Sequence, residues 1–238
     1  MDSLADAARR GPRLAVFDMD GTLVDSQHMI VAAMGAAFAA MDLEPPPGGD
    51  IRRVVGLSLG AAIGRLAPNV DVGRREMLED HYKNAFAALR EAGEMSEMPF
   101  DGAFAALDAL SEAGWVLGIA TGKSVRGLNA ILERFALAGR FATLQTADTN
   151  PGKPAPDMLR QAMIETGAQP MATVMIGDTS FDMEMARNAR VPALGVGWGY
   201  HGPAELLAAG AADIIDAFGD LPPAVEGIIQ GRAGKAAP

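Results

Sequence analysis

Leu14-Ala15-Val16-Phe17-Asp18-Met19-Asp20-Gly21-Thr22-Leu23-Val24-Asp25-Ser26 is the stretch around which the rest of the chain is organised. Leu14 to Phe17 form an apolar run of the length expected for a buried parallel strand, and Asp18 stands where that strand should end. Asp18 and Asp20 lie two residues apart, so an extended backbone points both carboxylates to the same side, and Gly21 lets the chain turn away after them. Two like charges held this close at the end of an apolar strand destabilise the fold unless a cation sits between them or one carboxylate keeps its proton. The pattern asks for a metal. A solvated Asp-x-Asp-Gly turn is the alternative for these few residues taken alone.

Outward from this stretch the pattern is first helical. Ile30, Met34, Ala37, Phe38 and Met41 recur at three- and four-residue spacing, and Pro45-Pro46-Pro47-Gly48-Gly49 breaks the helix. Further helices are expected from Asp50, over 60–66 and over 74–92, the last with Met77, Leu78, Tyr82, Phe86 and Leu89 on one face. No strand is expected between 26 and 98. From Met98 the chain alternates: helix 103–113, strand 115–120, a helix through Leu128 and Phe135, a weaker strand at 141–145, helix 156–166, strand 173–176, helix 183–189 and strand 193–196. Strands alternating with helices imply a parallel sheet covered on both faces. The fold class is therefore α/β: a three-layer α/β/α, Rossmann-like core of residues 1–25 and 99–238, with a small all-helical cap of 26–98 inserted after the first strand. Such an insertion stands over the carboxyl ends of the strands, where open α/β sheets bind ligands.

With 20 Lys and Arg against 30 Asp and Glu the net charge is −10, and no dense basic cluster compensates. Nucleic acid and anionic membrane are disfavoured as partners, and a small anionic substrate needs a metal or local cations to enter. There is no cysteine, which excludes disulfides and thiolate chemistry and fits a reducing compartment. Arg9-Arg10 is not followed by an export signal, residues 1–12 read as a leader without a transport role, and the longest uncharged apolar run, 29–41, is too short to span a membrane. The expected location is the cytoplasm. The Ala/Gly-rich tail after Ile229 is expected to be disordered.

Three strands end in polar residues: Asp18 and Asp20 after the first, Thr121-Gly122-Lys123 after the second, and Gly177-Asp178 with Asp182 after a later one. Lys153 sits in a Gly-Lys-Pro-Ala-Pro loop. A parallel sheet brings these ends to one edge. Oxygen ligands of this kind suit Mg²⁺, a carboxylate can attack phosphorus, a second acid can serve the leaving oxygen, and a hydroxyl and an ammonium can hold phosphoryl oxygens. His28, His81 and His201 read as ordinary surface or core residues. Lys123, Ser124 and Arg126 are expected at the margin of the site, and Arg52, Arg53 and Arg65 on a solvated face.

With Asp18-Met19-Asp20-Gly21-Thr22, Thr121, Lys153 and Gly177-Asp178 with Asp182 in this order, the chain resembles the haloacid dehalogenase superfamily of phosphohydrolases. The resemblance is to the branch with a helical cap, which includes phosphoglycolate phosphatases. It implies that Asp18 is nucleophile and Mg²⁺ ligand, and that Asp20 is general acid/base with its carbonyl on the metal. It further implies that Thr121 and Lys153 bind the phosphoryl group, that Asp178 ligates Mg²⁺, and that Asp182 supports the metal or Lys153. The acid at Asp20 disfavours dehalogenation. Phosphotransfer of the mutase kind and a metabolite-sensing role remain as alternatives, and the phosphorylated substrate and the oligomeric state stay open.

Overall fold

The computed structural model describes residues 11–93 and 97–233. Six parallel strands form the core sheet in the order β5-β4-β1-β6-β7-β8, with β1 Arg13–Phe17, β4 Trp115–Thr121, β5 Thr143–Thr146, β6 Thr173–Gly177, β7 Ala193–Val196 and β8 Asp213–Ile215. β1 is central, with Phe17 opposite Ile119 of β4 on one side and Ile176 of β6 on the other. Its side chains alternate as a strand demands. Ala15 and Phe17 enter an apolar cluster with helices α5 (Ala103–Glu112), α6 (Val125–Arg134) and α10 (Leu221–Ala233). Leu14 and Val16 enter a second cluster with α7 (Asp157–Thr166), α8 (Ser180–Ala189) and α9 (Pro203–Ala209) on the opposite face. This is the three-layer arrangement expected from the alternation. Leu14, Val16 and Phe17 are fully buried, and each such side chain contributes roughly 1.5–3 kcal/mol through burial.

Between Asp25 and Met98 lie four helices: α1 Gln27–Ala39, α2 Gly48–Arg53, α3 Leu59–Leu66 and α4 Val72–Ala92. They share an apolar core of their own built from Ile30, Met34, Phe38, Ile51, Ile63 and Leu78. Leu78 of α4 is buried as expected, but Met77 is 52% exposed and does not share its face. The two ends of this block meet in an antiparallel ribbon of β2 (Val24–Asp25) and β3 (Met98–Pro99). Met98 is thus in a strand where none was expected; two residues per strand are too short to show a period. The helix α10 runs on to Ala233, beyond the expected end of order at Ile229. The proposed leader at residues 1–12 lies outside the described residues except for its last two, and the end of the tail, 234–238, lies outside them entirely. Among the described residues no helix is long and apolar enough to cross a membrane.

Candidate active site

The carboxyl ends of β1, β4 and β6 meet under the helical block. At the end of β1 the ladder continues one step, with the Asp18 amide donating to the Ile176 carbonyl at 2.9 Å, which fixes the backbone that carries the first carboxylate. The chain then turns at Gly21, whose φ of +84° and whose contact with Asp178 and the Tyr200 ring, where a Cβ would lie 2.3 Å from a carboxylate oxygen, admit no side chain. Thr22, in the same turn, donates its hydroxyl to Asp178 Oδ1 at 2.7 Å. The Tyr200 amide donates to Asp178 Oδ2 at 2.9 Å, so both oxygens of that carboxylate are positioned.

Asp182 lies at the third position of α8 and completes a capping box with Thr179, its Oδ2 accepting from the Thr179 amide and hydroxyl. Its other oxygen is 2.7 Å from Lys153 Nζ, and the same ammonium is 2.9 Å from Asp18 Oδ2. Gly177 ends β6 with the Asp182 carboxylate packed against it. Oxygens of Asp18, Asp178 and Asp182 all lie within 4.8 Å of one another, and all three residues are buried. The structure therefore brings Asp18, Lys153, Asp178 and Asp182 together.

Three buried carboxylates lie together and only two of them, Asp18 and Asp182, touch the Lys153 ammonium, and their protonation reflects it. Burial, opposed by Lys153 and reinforced by Asp182, raises Asp18 from its ordinary 3.8 to about 7. Burial, then the charges of Asp182 and Asp18, raise Asp178 well above the carboxylate range. Burial alone would pull Lys153 down, but Asp18 and Asp182 outweigh it and hold the ammonium above its usual range. A hard dication matches this donor set: oxygen only, crowded, and short of positive charge. Between 3.8 and about 7 the folded protein holds a proton on Asp18 that the unfolded chain has released, so without metal its stability declines as pH rises through this window. Thermal melts in chelator should thus give a lower midpoint at about pH 7 than at about pH 5. Added Mg²⁺ should raise the midpoint more at the higher pH, because metal and proton compete for the same oxygens. A metal-free midpoint that climbs across this window would contradict the account.

Asp20 stands apart from that cluster and faces the cavity. Its Oδ1 accepts from the Ser26 hydroxyl at 2.5 Å and lies 3.0 Å from Lys123 Nζ. Thr121 ends β4 beside Asp18 and Asp20 on the cavity wall, and its hydroxyl accepts from the Lys123 amide. At Gly122 a Cβ would lie 2.3 Å from the Leu57 carbonyl oxygen, so the glycine lets the loop before α3 rest on the core.

Lys123 is not marginal. Its half-buried ammonium bridges Asp20 to Glu97, which is wholly buried and also paired with Arg90 of α4 at 2.8 Å. Burial would lower Lys123, but Asp20 and Glu97 together raise it, so it stays charged. Sequence reasoning missed Glu97, because nothing in its spacing distinguishes it from a solvated glutamate. Ser124 caps α6, and Arg126 is exposed at the cavity rim, as expected of marginal residues. Arg52 and Arg53 are exposed; Arg65 is exposed too and rests over the Phe181 ring at 4.9 Å. His201 is buried and accepts the Ser180 amide on Nδ1, bracing the turn that carries Asp178.

The chain is similar in sequence and in fold to known proteins. The family model for haloacid dehalogenase-like hydrolase matches residues 15–196. The chain is 33% identical to N-acetylmuramic acid 6-phosphate phosphatase of Pseudomonas aeruginosa over 85% of its own length and 89% of that protein's. It is 30% identical to phosphoglycolate phosphatase of Agrobacterium fabrum, over 89% and 91%. A hydrolase from Pseudomonas syringae has a similar solved structure, with a TM-score of 0.80, 27% identity and coverage of 90% of this chain and 98% of that one. With the family match spanning most of the chain, the protein belongs to the haloacid dehalogenase-like hydrolases, in their phosphoglycolate phosphatase-like branch.

Proposed function

We propose that the chain, a phosphoric monoester hydrolase by its family and relatives, hydrolyses a small phosphate monoester through an aspartyl-phosphate on Asp18, with Mg²⁺ bound. The observation that carries the reading is the buried cluster of Asp18, Asp178 and Asp182, with Lys153 paired to Asp18 and Asp182 and Asp20 beside it on the cavity side. Asp18 and Asp178, with the Asp20 carbonyl, would hold Mg²⁺. The cation supplies charge that lets a dianionic phosphate approach the carboxylates.

In the first step an Asp18 oxygen attacks phosphorus, the ester oxygen leaves, and the Asp20 carboxyl gives it a proton. In the second, Asp20, now a carboxylate, takes a proton from water as that water attacks phosphorus, and Asp18 is released. Thr121 and Lys153 bind the transferring phosphoryl oxygens, and Asp182 keeps Lys153 in place. Ser26 and Lys123 hold the Asp20 carboxyl toward the cavity.

The test is phosphate release from a panel of esters, with Mg²⁺ and with chelator, joined to acid-quench trapping of a labile acyl phosphate. Release that needs the metal and a trapped acyl phosphate are expected; release that chelator leaves unchanged would sink the metal assignment. Asp20→Asn should slow turnover roughly 10²- to 10⁴-fold, and an unchanged rate would remove its role. Lys123→Met should cost up to about 10²-fold in kcat with KM little altered, since it frees the Asp20 carboxyl without touching the phosphoryl site. A change in KM alone would instead place Lys123 in substrate binding.

A further inference from the structure

The cavity over Asp18 and Asp20 has a volume of about 620 Å³, within the range of sites that enclose drug-sized ligands. One end is the polar floor formed by the strand ends. The helical block supplies an apolar part of the remaining wall, Ile30, Met34, Ile51, Val54, Val55 and Phe86, beside the polar Ser58 and Glu79. Four cations border it, and two, Lys123 and Arg90, are held in close ion pairs. Lys123 is paired with Asp20 and Glu97, Arg90 with Glu97, and Lys83 lies near Glu79 and Asp80 at 3.7 and 3.6 Å. The fourth, Arg126, has no carboxylate partner among the described residues and is exposed at the rim. Tyr82 also lines the cavity; burial, then the charges of Asp20 and Glu97, push its hydroxyl up, so it adds a neutral polar atom and no charge.

A carboxylate on the alcohol portion of a substrate would lose its water against this apolar part of the wall. Burying an unpaired charge there is heavily unfavourable. An apolar body gains from the same wall by burial. We infer that the cavity selects phosphomonoesters whose alcohol portion is uncharged, apolar and larger than a two-carbon acid. The inference rests on the phosphomonoesterase reading for the anchoring of the phosphate, and it departs from phosphoglycolate as the substrate class.

The experiment is calorimetric titration of the full-length Asp18→Asn protein at saturating Mg²⁺ with two probes, 2-phenylethyl phosphate and phosphoglycolate. Both carry the phosphate on a primary carbon, and the variant separates binding from turnover. The phenylethyl ester should bind at least tenfold more tightly, an amount that burial of one ring supplies. Equal affinity, tighter binding of phosphoglycolate, or no binding of either probe would overturn the inference. Adding Phe86→Leu to the variant should weaken the phenylethyl ester about fivefold and leave phosphoglycolate unchanged; equal losses for both would remove Phe86 from the selective wall and count against the inference. Turnover by the wild type is read separately. A wild type that hydrolyses neither ester, beside an Asp18→Asn protein that shows the expected order of affinities, would overturn the phosphatase reading and leave the cavity's preference standing.

Discussion

Replacing Asp18 by Asn is expected to lower phosphate release roughly 10⁴- to 10⁶-fold, the range seen when a covalent nucleophile is removed, while the protein keeps its fold. An amide cannot form the acyl phosphate, and the rest of the site cannot supply another nucleophile in the same place, because Asp178 and Asp182 are held by Thr22, Tyr200 and Thr179. The stability half of the expectation follows from crowding. Asp18 is raised to about 7 by burial, so near neutral pH the metal-free protein carries a carboxylate that is costly to ionise. Asn removes that cost, and Lys153 retains Asp182 at 2.7 Å. The melting midpoint in chelator at about pH 7.5 should therefore equal or exceed the wild type's. Phosphate release that survives in the variant would remove Asp18 from the chemistry, and a collapsed fold would show that the carboxylate is a structural element.

Lys153→Met should have the largest effect on stability. The ammonium is fully buried and is the cation in contact with Asp18 and Asp182. Methionine fills a similar volume but leaves the carboxylates facing one another. Removing one partner of a buried ion pair typically costs about 3–5 kcal/mol, and urea unfolding in chelator should show a loss of this order. Mg²⁺ should recover part of it, because a bound dication takes over the neutralising charge and binds only the folded state. Turnover should be lost even in metal, since the phosphoryl group has lost its ammonium. A stability loss below about 1 kcal/mol, the scale of an exposed pair, would mean that the carboxyls simply keep their protons and that Lys153 does not hold the cluster together.

Much of this site was legible because it is written at strand ends. An apolar run of four or five residues followed by a carboxylate is a local signal, and a parallel sheet converts several such signals into one place; Asp18, Thr121 and Asp178 were found this way. The partners of these residues were less visible. Lys123 stands two residues from Thr121, but its importance comes from Asp20, at the end of the neighbouring strand, and from Glu97, which reaches it from beyond the helical block. Glu97 follows a helix of 21 residues and looks like any acidic residue on a solvated face until its burial is known. Met77 shows the reverse error: it joined an apolar stripe on paper, yet the helix presents Leu78 to the core and leaves its neighbour outside. The β2–β3 ribbon and β8 have two or three residues per strand, below the length at which any periodicity can appear.

The central position of β1 has a consequence for how the chain is made. Its neighbours β4 and β6 begin at Trp115 and Thr173, so this strand is synthesised long before either strand that pairs with it. At ribosomal speeds of about 5–20 residues per second, roughly ten to thirty seconds separate the emergence of β1 from that of its second neighbour. During that interval the four helices between 27 and 92 can pack on one another through local contacts, while an unpaired Leu-Ala-Val-Phe edge waits in solution or in the hands of a chaperone. Newly made chains that stop short of Thr173 should accordingly be the ones that aggregate.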